Sequence, residues 1–196
     1  MQDYYEREFR AYHRLTFKID PSSFLTPLQV RLHPEDTVLD VGCGSGRDLL
    51  WFRRKGYTVI GFERSHGLAD LARQNAACTV IEGDFKTYDF SRTAFDAILL
   101  IGALVHVKHD KLQSILLRIA VGLKEYGKIL IPLKEGERRA TGTCGRHFYL
   151  WQDRSLRKIF LSLEFRVLDF FRQVSPIRDE DVWLGYILEK TPDGIE

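Results

Sequence analysis

Short runs rich in β-branched and aliphatic residues recur along the chain, separated by longer segments whose apolar positions return every three or four residues. The pattern predicts strands at 37–41 (TVLDV), 57–62 (YTVIGF), 78–82 (CTVIE), 95–101 (FDAILLI) and 127–133 (GKILIPL). Helices are predicted at 47–55, 66–76 and 109–123. In the last of these, Leu112, Ile115, Leu116, Ile119 and Leu123 form an apolar stripe interrupted by Lys111, and Gly127 is a stop before the next strand. Strict alternation of strand and helix up to about residue 133 is the signature of a parallel α/β sheet. Beyond it, QDRSLRKIFLSL reads as a helix, and EFRVLDFFRQV and DVWLGYILEK as two strands joined by a polar turn around Pro176 to Asp181. The expected architecture is α/β: a seven-stranded, mostly parallel sheet with an antiparallel C-terminal strand pair and helices on both faces. Helices at 1–16 and 24–32 precede the core, with DPSS as a break and cap between them.

Composition narrows the field. A chain of 196 residues, 44% hydrophobic and 29% charged, is expected to form one domain, and a formal charge of +2 speaks against nucleic acid as a partner. No apolar run reaches the roughly 18–20 residues of a membrane span, and MQDYYEREFRAYHR lacks a signal-peptide core, so no membrane association and a cytoplasmic location are expected. Cys43, Cys78 and Cys144 make neither an even disulfide set nor a Cys-x-x-Cys pair; free thiols and no metal site are the expectation.

The chemistry concentrates in VLDVGCGSGRDLLWF, residues 38–52. A strand ending in Asp40 runs through Gly42, Gly44 and Gly46 into a helix, a turn whose missing side chains let a ligand approach and whose amides are expected to face it. The second strand leads into Glu63 about 20 residues on, where a carboxylate can accept from both hydroxyls of a ribose. The spacing is not that of a dinucleotide site: counted from Gly42 or from Gly44, the third glycine of G-x-G-x-x-G is replaced by Arg47 or Leu49. Asp40 would repel a pyrophosphate and suits a cationic or amino-bearing ligand. S-adenosylmethionine, with a ribose, an adenine, an amino acid end, a sulfonium and no phosphate, fits these requirements. Arg64 keeps a 2′-phosphate, and so an NADP-dependent oxidoreductase, as an alternative.

VLDVGCGSGRD, VIGFERS, IEGDF and FDAILLIGALVHV together resemble the class I S-adenosylmethionine-dependent methyltransferases over roughly residues 35–135. The chain looks most similar to a small bacterial subgroup with Thr16 and Asp20 before a GCGSGRD first motif, and Gly145-Arg146-His147-Phe148 after the fifth strand. The resemblance implies a Rossmann-like methyltransferase fold and S-adenosylmethionine as cofactor, with S-adenosylhomocysteine as product. Asp40, Gly42, Cys43 and Gly44 would then line its methionine end, Glu63 with Arg64 beside it the ribose, Asp84 and Phe85 the adenine, and Ile101 and Gly102 the wall beside the sulfonium. It divides the chain into an N-terminal helical cap (1–34), a cofactor-binding half (35–134) and an acceptor-side insert with the C-terminal strands (135–196). Independently, Asp84 after Gly83 can reach an exocyclic amine, and Phe85 offers a ring for stacking.

Methyl transfer from a sulfonium is an in-line displacement, so positioning and exclusion of water supply most of the catalysis. A base is needed only when the acceptor arrives protonated and its pKa is too high for it to ionise unaided. His106 is the candidate for that base, and a histidine that fixes its loop through the backbone is the alternative. Acceptor contacts are expected from Tyr5 and Tyr12 in the N-terminal helices and from Arg146 and Tyr149 in the segment Lys134 to Lys158. That segment holds seven Lys or Arg against three Asp or Glu, which points to a small, anionic acceptor. A cofactor-binding protein without catalysis, acting through a partner, is the alternative from another functional class.

Overall fold

Residues alternate between two cores along each central strand, as a sheet covered on both faces requires. In β1 (Thr37–Val41), Val38 packs with one hydrophobic cluster, while Leu39 and Val41 pack with the other. The computed structural model describes residues 2–142 and 145–191, so Cys144 lies outside the described residues. Besides β1, the main sheet contains β2 (Thr58–Glu63), β3 (Thr79–Glu82), β4 (Phe95–Leu99), β5 (Leu123–Lys134), and two C-terminal strands. A two-stranded ribbon, β6 (Arg139–Thr141) with β7 (His147–Tyr149), stands apart from it. With β8 (Phe165–Val174) and β9 (Val182–Lys190), the order across the main sheet is β3-β2-β1-β4-β5-β9-β8. The first five strands run parallel, whereas β9 is antiparallel to both β5 and β8.

On one face, α3 (Ser22–Gln29), α4 (Arg47–Arg54) and α5 (His66–Ala76) bury Leu25, Leu28, Leu49, Phe52 and Ala72. On the other, α6 (His109–Ala120) and α7 (Asp153–Ser162) bury Leu112, Leu116, Ile119, Leu156 and Phe160. Two further helices, α1 (Gln2–Arg7) and α2 (Phe9–Thr16), reach over the C-terminal ends of the strands, where Tyr5 and Tyr12 meet the first cleft described below.

The predicted architecture is the observed one, and the differences have local causes. The single helix expected over 1–16 is broken at Glu8, whose φ of −105° and ψ of 19° leave the helical region. The next helix starts at Ser22, two residues before the prediction, because the Asp20 carboxylate accepts from Ser22 N at 2.9 Å and Ser22 Oγ at 2.6 Å. β5 begins at Leu123 and not at Gly127; Tyr126 takes a φ of 58°, and the register against β4 shifts between Phe95 and Ala97. The β6–β7 ribbon went unpredicted because its strands are only three residues long.

Gly46 couples the first motif to this packing. It is left-handed at φ +84°, and an added Cβ would lie 2.9 Å from the Cα of Ala72 in α5. Gly46→Ala combines a disfavoured backbone conformation with that clash, an expected loss of about 2–3 kcal/mol. Thermal unfolding should show a fall in Tm of roughly 5–10 °C; an unchanged Tm would show that α4 and α5 separate without cost.

Candidate functional site

Two turns at the C-terminal ends of β1 and β2 form the floor of a cleft of about 870 Å³ that is open to solvent. Gly42, left-handed at φ +76°, passes so close to the loop after β4 that a Cβ would lie 2.9 Å from that of Ala103. The expected outward-facing amides are not what the structure shows. Gly42 N and Cys43 N both donate to the Phe62 carbonyl, at 2.7 and 3.1 Å, and Gly44 N donates to Glu63 Oε2 at 2.9 Å. These donors turn inward because the buried carbonyl and carboxylate at the end of β2 must be satisfied. What remains is a close-approach surface with no cradle for a phosphate in these three amides.

Glu63 is 8% exposed. Its other oxygen, Oε1, accepts from Arg64 N at 2.8 Å and Ser65 N at 2.9 Å. Burial pushes its carboxyl up, and the three amide hydrogen bonds pull it back. Three of a carboxylate's roughly four acceptor directions are used, which leaves capacity for one strong hydrogen bond on a residue lining the cleft. Across the cleft, Asp84 accepts from Lys86 N at 2.9 Å, and Arg64 Nη1 faces its other oxygen at 3.8 Å. Gly83 and Phe85 after β3, and Ile101 and Gly102 after β4, also line the cleft.

Asp40 lies beneath the turn and lines neither cleft. It is 1% exposed, and its Oδ2 has no hydrogen-bond partner among the described residues. Burial first, and then the neighbouring Asp48, hold its carboxyl well above the usual range. Cys43 is a buried packing thiol of the α4 side, pushed up by burial, and it borders a second cleft beside the first.

The N-terminal helices cover the first cleft with tyrosines: Tyr5 and Tyr12 meet edge to face at 5.2 Å, and both line it. His106 sits in a short 3₁₀ turn after β4 and lines the same cleft. Its Nδ1 is 2.5 Å from the His147 carbonyl and its Nε2 is 2.9 Å from the Tyr5 hydroxyl. A carbonyl only accepts, so Nδ1 carries the proton, and the neutral ring accepts from Tyr5 at Nε2. Arg146, near the start of β7, hydrogen-bonds the same tyrosine and stacks 4.4 Å over the Tyr4 ring. Tyr149 packs edge-on against His109 at 5.4 Å. Neither Arg146 nor Tyr149 lines either cleft, and the same holds for Arg138 and Arg139, which are exposed on the ribbon.

Elsewhere, His66, Asp70 and Glu82 bring possible metal-ligand atoms within 4.8 Å of one another. Arg73 donates to both carboxylates, at 2.8 and 2.7 Å, which makes the cluster a surface ion-pair network. Among the described residues no helix is long and apolar enough to cross a membrane.

Burial, with Arg146, Lys134 and Arg64 nearby, pushes His106 down to about 4. An unfolded histidine titrates near 6.5, so between pH 6.5 and 4 the unfolded chain binds the additional proton and folding stability falls as pH falls. The full effect is on the order of 3 kcal/mol. NMR titration should place the His106 midpoint near 4, and His106→Asn should flatten the stability profile in that window. A midpoint near 6.5 would show that the ring is solvated.

Residues 38–127 match the model of a methyltransferase domain. A probable fatty acid methyltransferase of Mycobacterium tuberculosis is 35% identical over 92 residues, 40% of this chain and 20% of that protein. A cycloartenol-C-24-methyltransferase of Arabidopsis thaliana is 32% identical over 87 residues, 40% of this chain and 26% of that protein. The chain thus spans no more than about half the length of the curated relatives it matches. Among solved structures, the 1,6-didemethyltoxoflavin-N1-methyltransferase of Burkholderia thailandensis superposes with a TM-score of 0.75 at 22% identity, covering 96% of this chain and 84% of that one. The magnesium protoporphyrin IX methyltransferase of Synechocystis gives 0.77 at 14% identity, covering 97% and 98%. The chain has the Rossmann-like fold of these solved methyltransferase structures, and its residues 38–127 are similar to a methyltransferase domain.

Proposed function

We propose that this chain binds S-adenosylmethionine in the first cleft and transfers its methyl group to a small-molecule acceptor. The observation that carries this reading is the pairing of a phosphate-excluding glycine turn with the buried Glu63 carboxylate beside it. When bound, S-adenosylmethionine supplies a methyl group on a sulfonium whose leaving group departs neutral. Glu63 would accept from the ribose, Asp84 and Phe85 would meet the adenine, and Ile101 with Gly102 would wall the sulfonium side. The division into a helical cap (1–34), a cofactor half (35–134) and an acceptor-side remainder (135–196) follows from this assignment. GCGSGRD, Thr16 with Asp20, and Gly145 to Phe148 support placement in the bacterial subgroup.

His106 is a positioning residue in this reading. With a midpoint near 4 it stays neutral at physiological pH, and its hydrogen bonds join the loop after β4 to α1 and β7. An NADP-dependent role fits less well, because the three turn amides are used internally and Arg64 faces Asp84. The unpaired thiols Cys43 and Cys78 support a reducing, cytoplasmic setting.

Thermal unfolding with each ligand at about 100 times its dissociation constant tests the assignment. S-adenosylmethionine and S-adenosylhomocysteine should each add about 2.7 kcal/mol, a rise of roughly 5–10 °C, and NADPH should add nothing. Glu63→Gln should weaken S-adenosylhomocysteine by about 1.5–3 kcal/mol. A shift with NADPH alone, or with none of the three, would refute the reading.

A further inference from the structure

The second cleft, of about 850 Å³, meets the first over the glycine turn, where Tyr12, Gly42, Gly44, Ile101 and Gly102 line both. We infer that it takes the methyl acceptor, and that this acceptor is a small molecule carrying a basic nitrogen on an apolar body. The inference rests on the methyltransferase reading above, and it replaces the anionic acceptor that the basic segment suggested.

Shape and charge both point this way. Phe24 and Trp183, edge to face at 6.2 Å, provide an aromatic wall, and Pro132 and Ile177 extend the apolar surface. Gln173 donates to Ser23 Oγ at 2.5 Å, which joins β8 to α3 beside that wall. Among the described residues, the charged ones lining the cleft are Asp20, Arg47 and Asp48. Arg47 binds Asp48 through two hydrogen bonds of 2.7 and 2.9 Å, so those two charges cancel. Asp20 is left as the net charge, and hydrogen bonds from the Ser22 hydroxyl and amide hold its carboxyl below the usual range. Lys134 stands 5.6 Å over the Trp183 ring, but it is paired with Asp181 and lines neither cleft. An anion entering here meets a carboxylate with no free lysine or arginine among the described residues of the lining, whereas an ammonium meets its complement.

The chemistry is consistent with an open site. The acceptor binds as an ammonium and first releases a proton to water. The nitrogen lone pair then forms the N–CH3 bond as the S–CH3 bond breaks, its electron pair staying on sulfur. The resulting methylammonium keeps its charge or returns it to solvent as a proton. Asp20, too weak a base to take that proton, holds the charge and orients the amine.

The test begins with S-adenosylhomocysteine binding to the purified protein. No binding would refute the methyltransferase reading, and this inference would fall with it. To the S-adenosylhomocysteine complex, 2-phenylethylamine, 3-phenylpropionate and 2-phenylethanol are then titrated, each with its ring-substituted analogues, and followed by calorimetry and tryptophan fluorescence. The amines should bind several-fold tighter than the matched carboxylates. Asp20→Asn should weaken the amines about threefold to fivefold, with the S-adenosylhomocysteine affinity unchanged, and Trp183→Leu should weaken amines and alcohols alike. Carboxylates equal to or tighter than amines, no binding by any probe, amine affinity indifferent to Asp20→Asn, or amines that compete with S-adenosylhomocysteine would each overturn it.

Discussion

The carboxylate of Glu63 holds the site together. It is buried, and a buried carboxylate is tolerated only where donors surround it. Its donors are the amides of Gly44, Arg64 and Ser65, one from the β1 turn and two from the start of the β2 turn. One side chain therefore sets the spacing between the turns that enter α4 and α5. The Phe62 carbonyl adds a second tie by accepting from Gly42 and Cys43. With its donors committed inward, the turn offers a ligand space and shape in place of positive potential. The amides of Gly42, Cys43 and Gly44 are therefore not available to a phosphate.

The cover over the cleft comes from parts of the chain far apart in sequence. Tyr5 on α1, His106 after β4, and His147 on β7 form one hydrogen-bonded line, with Arg146 bonded to the tyrosine. Glu6 accepts from His66 N at 3.1 Å and so attaches α1 to the start of α5 as well. Two residues of the basic segment that suggested an anionic acceptor are engaged within the protein. Arg146 stacks on Tyr4, and Lys134 pairs with Asp181 while lying over the Phe148 ring. Local net charge counts residues without their partners. Where the partners are folded in, the remaining charge at the second cleft has the opposite sign.

The fold was largely legible because it rests on local rules. The strand at TVLDV and the stripe of Leu112, Leu116 and Ile119 in α6 are written residue by residue, and both appear as predicted. The glycine turn was legible as well, since positive φ at Gly42, Gly44 and Gly46 needs residues without a Cβ. The irregular elements were not: the kink at Tyr126 and the β6–β7 ribbon depend on pairing with partners that no local window contains. The same holds for the second cleft, where Asp20 and Phe24 meet Gln173 and Trp183 from the other end of the chain.

By itself, the sequence determined the alternation of strand and helix, the close-approach turn after β1 and the carboxylate at the end of β2, because backbone sterics and hydrophobic period act over a few residues. Tertiary structure decided which donors and charges remain for a ligand. Hydrogen bonds and ion pairs form with whatever the fold brings near, so the inward turn of the glycine-loop amides, the low-lying proton affinity of His106 and the single uncancelled charge of Asp20 exist only once the sheet has assembled.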